Sequence, residues 1–273
     1  MSHRWQFLLP AVLAAAAACG AGQTGSTGST GPPYLVSSTV LRDGTSQEIS
    51  VWAPVGKGAW PVVYALPGVS GHKSDFDLLG RALARQGLLV FATDYRTHGT
   101  LENLGHDVAC GYRYIRRVAG DHGGDLRKPV TGVGYSFGAL WMLAGALHRA
   151  PAGAGAGCAQ KQPLPDVVVG VNGCYYEWEG RPQPFTVEGL DRREARVVLV
   201  AASTDRTCPA WESKKAASAL GAAGFHPKLT TISGANHYTP LFHDLVGGKW
   251  VSVPQDPAGE QTVRTILDAV KAG

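Results

Sequence analysis

Val130-Thr131-Gly132-Val133-Gly134-Tyr135-Ser136-Phe137-Gly138-Ala139-Leu140-Trp141 decides how this chain is read. A short apolar run, Val130 to Gly134, has the length and composition of a buried strand. From Phe137 the apolar residues continue to Arg149 with helical length. Between them Gly134-Tyr135-Ser136-Phe137-Gly138 matches G-x-S-x-G. A serine set on a sharp strand-to-helix turn stands with its hydroxyl exposed at the C-terminal edge of a sheet, and the crowded backbone needs small residues on either side. The alternative is an ordinary turn with a helix-capping serine.

Working outward, strands and helices alternate. Val36–Leu41 and Glu48–Ala53 flank Arg42-Asp43-Gly44-Thr45 and read as a hairpin. Apolar runs at Pro61–Leu66, Leu88–Ala92, Val167–Val171 and Val197–Ala201, and a segment at His226–Ile232, read as strands. Helical patterns cover Asp75–Gln86, Leu101–Val118, Trp211–Ala223 and Gln261–Lys271. Continuous apolar strands separated by helices imply a mostly parallel sheet covered on both faces.

A serine hydroxyl near neutral pH needs a base to take its proton and a carboxylate to orient that base. On such a sheet the three follow in the order Ser, Asp or Glu, His. Asp205 lies just past the strand ending at Ala201, and His237 just past the strand ending at Ile232. Both are expected beside Ser136. Glu177 or Glu179 could replace the acid, and His243 the base. Two backbone N–H groups should stabilise the oxyanion: that of Phe137, and that of Val69 in Pro67-Gly68-Val69-Ser70-Gly71, the loop after Leu66.

With 273 residues, 44% apolar and 17% charged, the chain can build one large core. The net charge of +4 is mild and its basic residues are scattered, which argues against a nucleic-acid partner. No H-E-x-x-H, paired-cysteine cluster or dinucleotide fingerprint is present, so no metal or cofactor is expected. Residues 1–18 read as an export signal: Arg4, then the apolar stretch Phe7–Ala18, too short to span a bilayer. Ala16-Ala17-Ala18-Cys19 looks like a bacterial lipoprotein signal with lipid on Cys19, although Ala16 stands where a Leu is usual; plain cleavage after Ala18 is the other reading. Residues 19–33 form a Gly/Ser/Thr linker, and 34–273 the folded domain. If Cys19 carries lipid, Cys110, Cys158, Cys174 and Cys208 remain, enough for two disulfides in an exported protein.

Leu66-Pro67-Gly68, Thr93-Asp94-Tyr95-Arg96, Gly123-Gly124-Asp125, Gly134–Gly138, the loop at Asp205 and Gly234–His237 together make the chain similar to bacterial α/β-hydrolases of the carboxylesterase and dienelactone-hydrolase-like groups. The resemblance covers most of the chain after the linker. It implies an α/β-hydrolase fold with an eight-stranded sheet, and hydrolysis of small-molecule or polymeric esters, here by a monomer with little or no cap domain. There is no His-Gly-Gly-Gly run after Leu66, and the nucleophile is Ser136 rather than the Cys of typical dienelactone hydrolases. The strands before Cys174 and Cys208 are neighbours in this family's sheet, so the resemblance pairs these two and leaves Cys110 with Cys158. Tyr175, Tyr176 and Trp178 stand either to line a substrate pocket or to pack under a loop. An acyltransferase or peptidase using the same triad, and a non-catalytic binding lipoprotein on this fold, remain rival readings.

Overall fold

The computed structural model describes residues 34–40, 46–96, 101–147, 165–178, 181–182 and 185–272. The leader, Cys19, the linker, Cys158 and Glu179 lie outside them, as does the side chain of Trp178.

Eight strands form one sheet: β1 (Tyr34–Val40), β2 (Ser46–Trp52), β3 (Val62–Leu66), β4 (Leu89–Thr93), β5 (Thr131–Tyr135), β6 (Val167–Val171), β9 (Arg196–Ala202) and β10 (Lys228–Ile232). Their order across the sheet is β1-β2-β4-β3-β5-β6-β9-β10. β2 runs antiparallel to both its neighbours, and every other pairing is parallel. Two short hairpins stand apart from this sheet. One pairs β7 (Glu177–Trp178) with β8 (Arg181–Pro182), and the other pairs β11 (His243–Val246) with β12 (Lys249–Ser252).

The apolar strand runs are explained by two cores, one on each face. β3 sends Val62, Tyr64 and Leu66 into one and Val63 and Ala65 into the other, the period of two that a pleated strand imposes. Helices α2 (Leu101–Val118), α3 (Phe137–Leu147) and α4 (Ala210–Ala222) contribute to the first core through Tyr112, Leu143 and Leu220. Helices α1 (Asp77–Arg85) and α5 (Pro257–Lys271) contribute to the second through Leu83 and Ile266. Parallel strands buried on both faces must be apolar at every position, hence Val-Val-Val-Gly-Val in β6.

Several boundaries move by one or two residues, and two helix starts differ in kind from the sequence reading. The helix expected from Asp75 opens with a 3₁₀ turn, Lys73–Phe76, before α1 begins. The last helix starts at Pro257 rather than Gln261, because Asp256 caps it by accepting from the Ala258 N–H at 2.7 Å. The β11–β12 hairpin was not expected at all.

Candidate active site

Parallel strands deliver their following loops to one edge of the sheet. β5, β9 and β10 are three of the central-to-outer strands, so Ser136, Asp205 and His237 converge there. Ser136 has φ of 54°, a left-handed backbone uncommon for a side-chain-bearing residue. Its N–H donates to Val171 and its carbonyl accepts from Ala139, which pins the turn between β6 and the first turn of α3. The flanking glycines are there for space. A Cβ on Gly134 would lie 2.3 Å from the Gly138 carbonyl oxygen, and one on Gly138 would lie 2.1 Å from that of Pro67.

His237 Nε2 lies 3.1 Å from Ser136 Oγ, and His237 Nδ1 lies 2.7 Å from Asp205 Oδ2. All three residues are buried. The other Asp205 oxygen accepts the N–H groups of Thr207 and Cys208, at 2.8 and 2.9 Å, which fixes the carboxylate plane. The Asp205 and His237 loops are tied to each other. Ser203 N–H donates to Ile232, Thr204 N–H to Ala235, and Gly234 N–H to Ser203 Oγ. Of the alternatives, Glu177 is exposed, and His243 is buried against Trp250 with ring centroids 5.0 Å apart.

The loop after β3 passes directly over Ser136: a Cβ on Gly68 would lie 3.1 Å from that of Ser136. Tyr95 Oη donates to the Gly68 carbonyl at 2.7 Å, and Ser70 Oγ donates to Asp75 at 2.5 Å. These bonds hold the segment that carries Val69. Phe137 begins α3, so its N–H belongs to the first turn of a helix, where backbone donors point outward.

Three groups that sequence reasoning passed over shape the site. Asn172, buried and with φ of 47°, donates its amide to the carbonyls of Asn236 and His237 and accepts from the Ala202 N–H. Tyr135 Oη also donates to the His237 carbonyl, at 3.2 Å. Glu212, wholly buried, accepts the N–H groups of Tyr175, Tyr176 and Glu177 at 2.5, 2.7 and 3.2 Å. Burial raises its pKa, an effect those three bonds oppose.

Cys174 and Cys208 are joined, with Cα atoms 4.8 Å apart. Their sulfurs lie 3.6 and 3.8 Å from Ser136 Oγ, so the disulfide walls one side of that hydroxyl. Cys110 is also disulfide-bonded; its expected partner, Cys158, is outside the described residues. Tyr175 is a core residue rather than a pocket lining: it has no exposed surface and packs on Phe185 at 5.5 Å. Tyr176 is partly exposed, with the Lys215 ammonium 4.1 Å from its ring centre. Among the described residues no group of three or more His, Cys, Asp or Glu could hold a metal ion.

No family model matches the chain. In sequence it is similar to a rice (Oryza sativa subsp. japonica) protein named "Probable isoprenylcysteine alpha-carbonyl methylesterase ICMEL1", 30% identical over 155 residues, or 52% of this chain and 36% of that protein. The chain therefore spans only about a third of that relative's length. In structure it is similar to the esterase Est2 of Thermogutta terrifontis, with a TM-score of 0.65 and 18% identity over 89% of this chain and 95% of that one. Esterase Est22 superposes with a TM-score of 0.68 and 15% identity, over 89% of this chain and 82% of that one. The architecture is the α/β-hydrolase fold.

Proposed function

We propose that the protein is an exported serine hydrolase that cleaves carboxylic esters through an acyl-enzyme on Ser136. The observation that carries this reading is the unbroken relay from Ser136 Oγ through His237 to Asp205, at 3.1 and 2.7 Å. A hydroxyl, an imidazole and a carboxylate buried in that geometry have one well-understood use.

His237 takes the Ser136 proton as Oγ attacks the ester carbonyl. Asp205 keeps the Nδ1–H tautomer in place and stabilises the imidazolium that forms. The N–H groups of Val69 and Phe137 receive the oxyanion. The tetrahedral intermediate collapses, the C–O bond to the alcohol breaks, and the alcohol leaves with the proton held by His237. Water then repeats the cycle on the acyl-enzyme and releases the acid. Esters are favoured as the bond class because the structural neighbours are named esterases and the rice relative a methylesterase. Export, with lipid on Cys19 as an anchor, agrees with the Cys174–Cys208 disulfide, since such bonds persist in oxidising compartments.

The test is labelling with a fluorophosphonate probe, beside turnover of p-nitrophenyl acetate by wild type and Ser136→Ala. An adduct on Ser136 and a loss of kcat on the order of 10⁴-fold or more in the variant are expected. Equal turnover by both proteins, with no adduct, would sink the reading.

A further inference from the structure

The β11–β12 hairpin turns through Gly247-Gly248, both with positive φ (56° and 77°), as a two-residue primed turn demands. Leu245 pairs with Trp250 and His243 with Ser252, so these four share one face; Asp244, Val246, Lys249 and Val251 share the other. Large apolar side chains are exposed at seven positions among the described residues, and four of them, Leu245, Val246, Trp250 and Val251, are on this hairpin. Such a concentration in ten residues marks a surface that meets something apolar.

The inner face adjoins the reacting groups. Trp250 packs on Tyr238 at 5.3 Å and edge-on against Tyr135 at 6.5 Å. Tyr238 and Tyr135 each pack on His237, at 5.3 and 5.1 Å. Tyr135 precedes the nucleophile, and its ring also lies beneath Gly68, 3.3 Å from where a Cβ would be. Trp250 therefore touches the His237 loop at Tyr238 and is linked to the Val69 loop through the Tyr135 ring, and Val69 is itself exposed. Both charged residues of the hairpin, Asp244 and Lys249, fall on the other face, where Asp244 accepts from the Asn236 amide at 2.9 Å, so the face of Leu245 and Trp250 carries no carboxylate or ammonium, only His243 and Ser252 beside them.

We propose that the Leu245–Trp250 face of this hairpin binds the apolar chain of the ester substrate, and that Trp250 is a specificity-determining residue for medium- and long-chain esters. The inference rests on ester hydrolysis at Ser136. The chain is the occupant because this face is continuous with the site: an acyl or alkyl group leaving the carbonyl over Ser136 reaches Trp250 without crossing a charged side chain of the hairpin. Each methylene that it removes from water improves binding roughly fourfold.

The experiment compares kcat/KM for p-nitrophenyl octanoate and acetate in wild type, Trp250→Ala, Trp250→Phe and Leu245→Ser, with Val246→Ser on the far face as a control and thermal unfolding of each. In Trp250→Ala the octanoate-to-acetate ratio should fall about tenfold, mainly through KM. Leu245→Ser should move it the same way, Trp250→Phe should restore most of it, and Val246→Ser should leave it as in wild type. An unchanged ratio in folded Trp250→Ala overturns the inference, or in Leu245→Ser if the tryptophan variant does not fold. So does a wild-type dimer that Trp250→Ala dissolves without changing the ratio. Those outcomes leave ester hydrolysis standing. Turnover of neither ester by wild type would instead overturn the ester reading, and this inference with it.

Discussion

The side-chain amide of Asn172 donates to the main-chain carbonyl of His237 at 2.9 Å, although 65 residues separate them. The same side chain accepts from the Ala202 N–H at 2.8 Å, at the end of the strand that leads to Asp205. One buried residue thus ties the His237 loop to the strand before Asp205. Its left-handed backbone costs asparagine little and alanine about 1–2 kcal/mol. Asn172→Ala should lower stability by about 2–5 kcal/mol in denaturant unfolding, adding that strain to an unpaired Ala202 N–H. Asn172→Asp keeps an acceptor for Ala202 but turns an oxygen toward two carbonyls. It should lose kcat with little change in KM. Full kcat in both folded variants would show that Asn172 does not position His237.

Asp75 gives stability a pH dependence opposite to that of most carboxylates. Burial raises its pKa to about 6, opposed by the Ser70 hydroxyl and the Gly68 backbone. The folded state therefore holds this proton more tightly than the unfolded chain. The stabilisation is complete below about pH 4 and is lost as pH rises through about 6. Asp75→Asn has no proton to lose. The stability of wild type relative to this variant should fall by about 2 kcal/mol between pH 4 and pH 7, most of the roughly 3 kcal/mol that the whole shift carries at about 1.4 kcal/mol per pKa unit. His72 and Asp94 act on the same carboxyl in opposite senses. Parallel pH–stability curves for the two proteins would refute this assignment.

The Cys174–Cys208 bridge joins residues 34 apart. Cross-linking a loop of that length stabilises by about 3–4 kcal/mol through the unfolded chain. The bridge also holds the Cys208 N–H on Asp205 and the Cys174 N–H on the Ser136 carbonyl. The double variant Cys174→Ala, Cys208→Ala should unfold at lower denaturant by an amount matching that energy. Its kcat should drop well below the wild-type value at a temperature where it remains folded. An unchanged unfolding midpoint would mean that the loops are held without the bridge.

Much of this was readable from residues. Val167–Val171 names a strand because a doubly covered strand must be apolar throughout, and the order Ser136, Asp205, His237 follows from strands that deliver their loops to one edge. Two local signals were present and unread. Gly247-Gly248 between Leu245-Val246 and Trp250-Val251 is a hairpin pattern, and Asp256-Pro257 is a helix start. Other features had no local signal. Tyr175 follows a strand, as a pocket aromatic would, but Phe185 and the first core cover it. A glutamate in the first turn of α4 ordinarily reads as a solvated charge that favours the helix dipole. Glu212 is buried only because a segment 35 to 37 residues away folds onto it, and no spacing in the sequence encodes that.

Glu212 yields the sharpest comparison of variants. One of its oxygens serves the Tyr175 and Tyr176 N–H groups and the other serves Glu177. Glu212→Ala leaves three donors without their acceptor and should cost on the order of 3 kcal/mol or more, since each buried unpaired group costs about 1–3. Glu212→Gln keeps one oxygen and faces the other donor with an amide NH₂, so it should fall between alanine and wild type. Because burial raises the carboxyl's pKa, the folded state binds the proton more tightly. The advantage of wild type over the glutamine variant should therefore narrow as pH rises above the usual glutamate range. The segment held by Glu212 also contains Cys174, whose N–H reaches the Ser136 carbonyl, so kcat should follow the same ranking as stability. Denaturant unfolding at two pH values, with kcat measured on the folded proteins, separates the cases. Equal stability of the alanine and glutamine variants would show that the carboxylate's acceptors do not hold this segment.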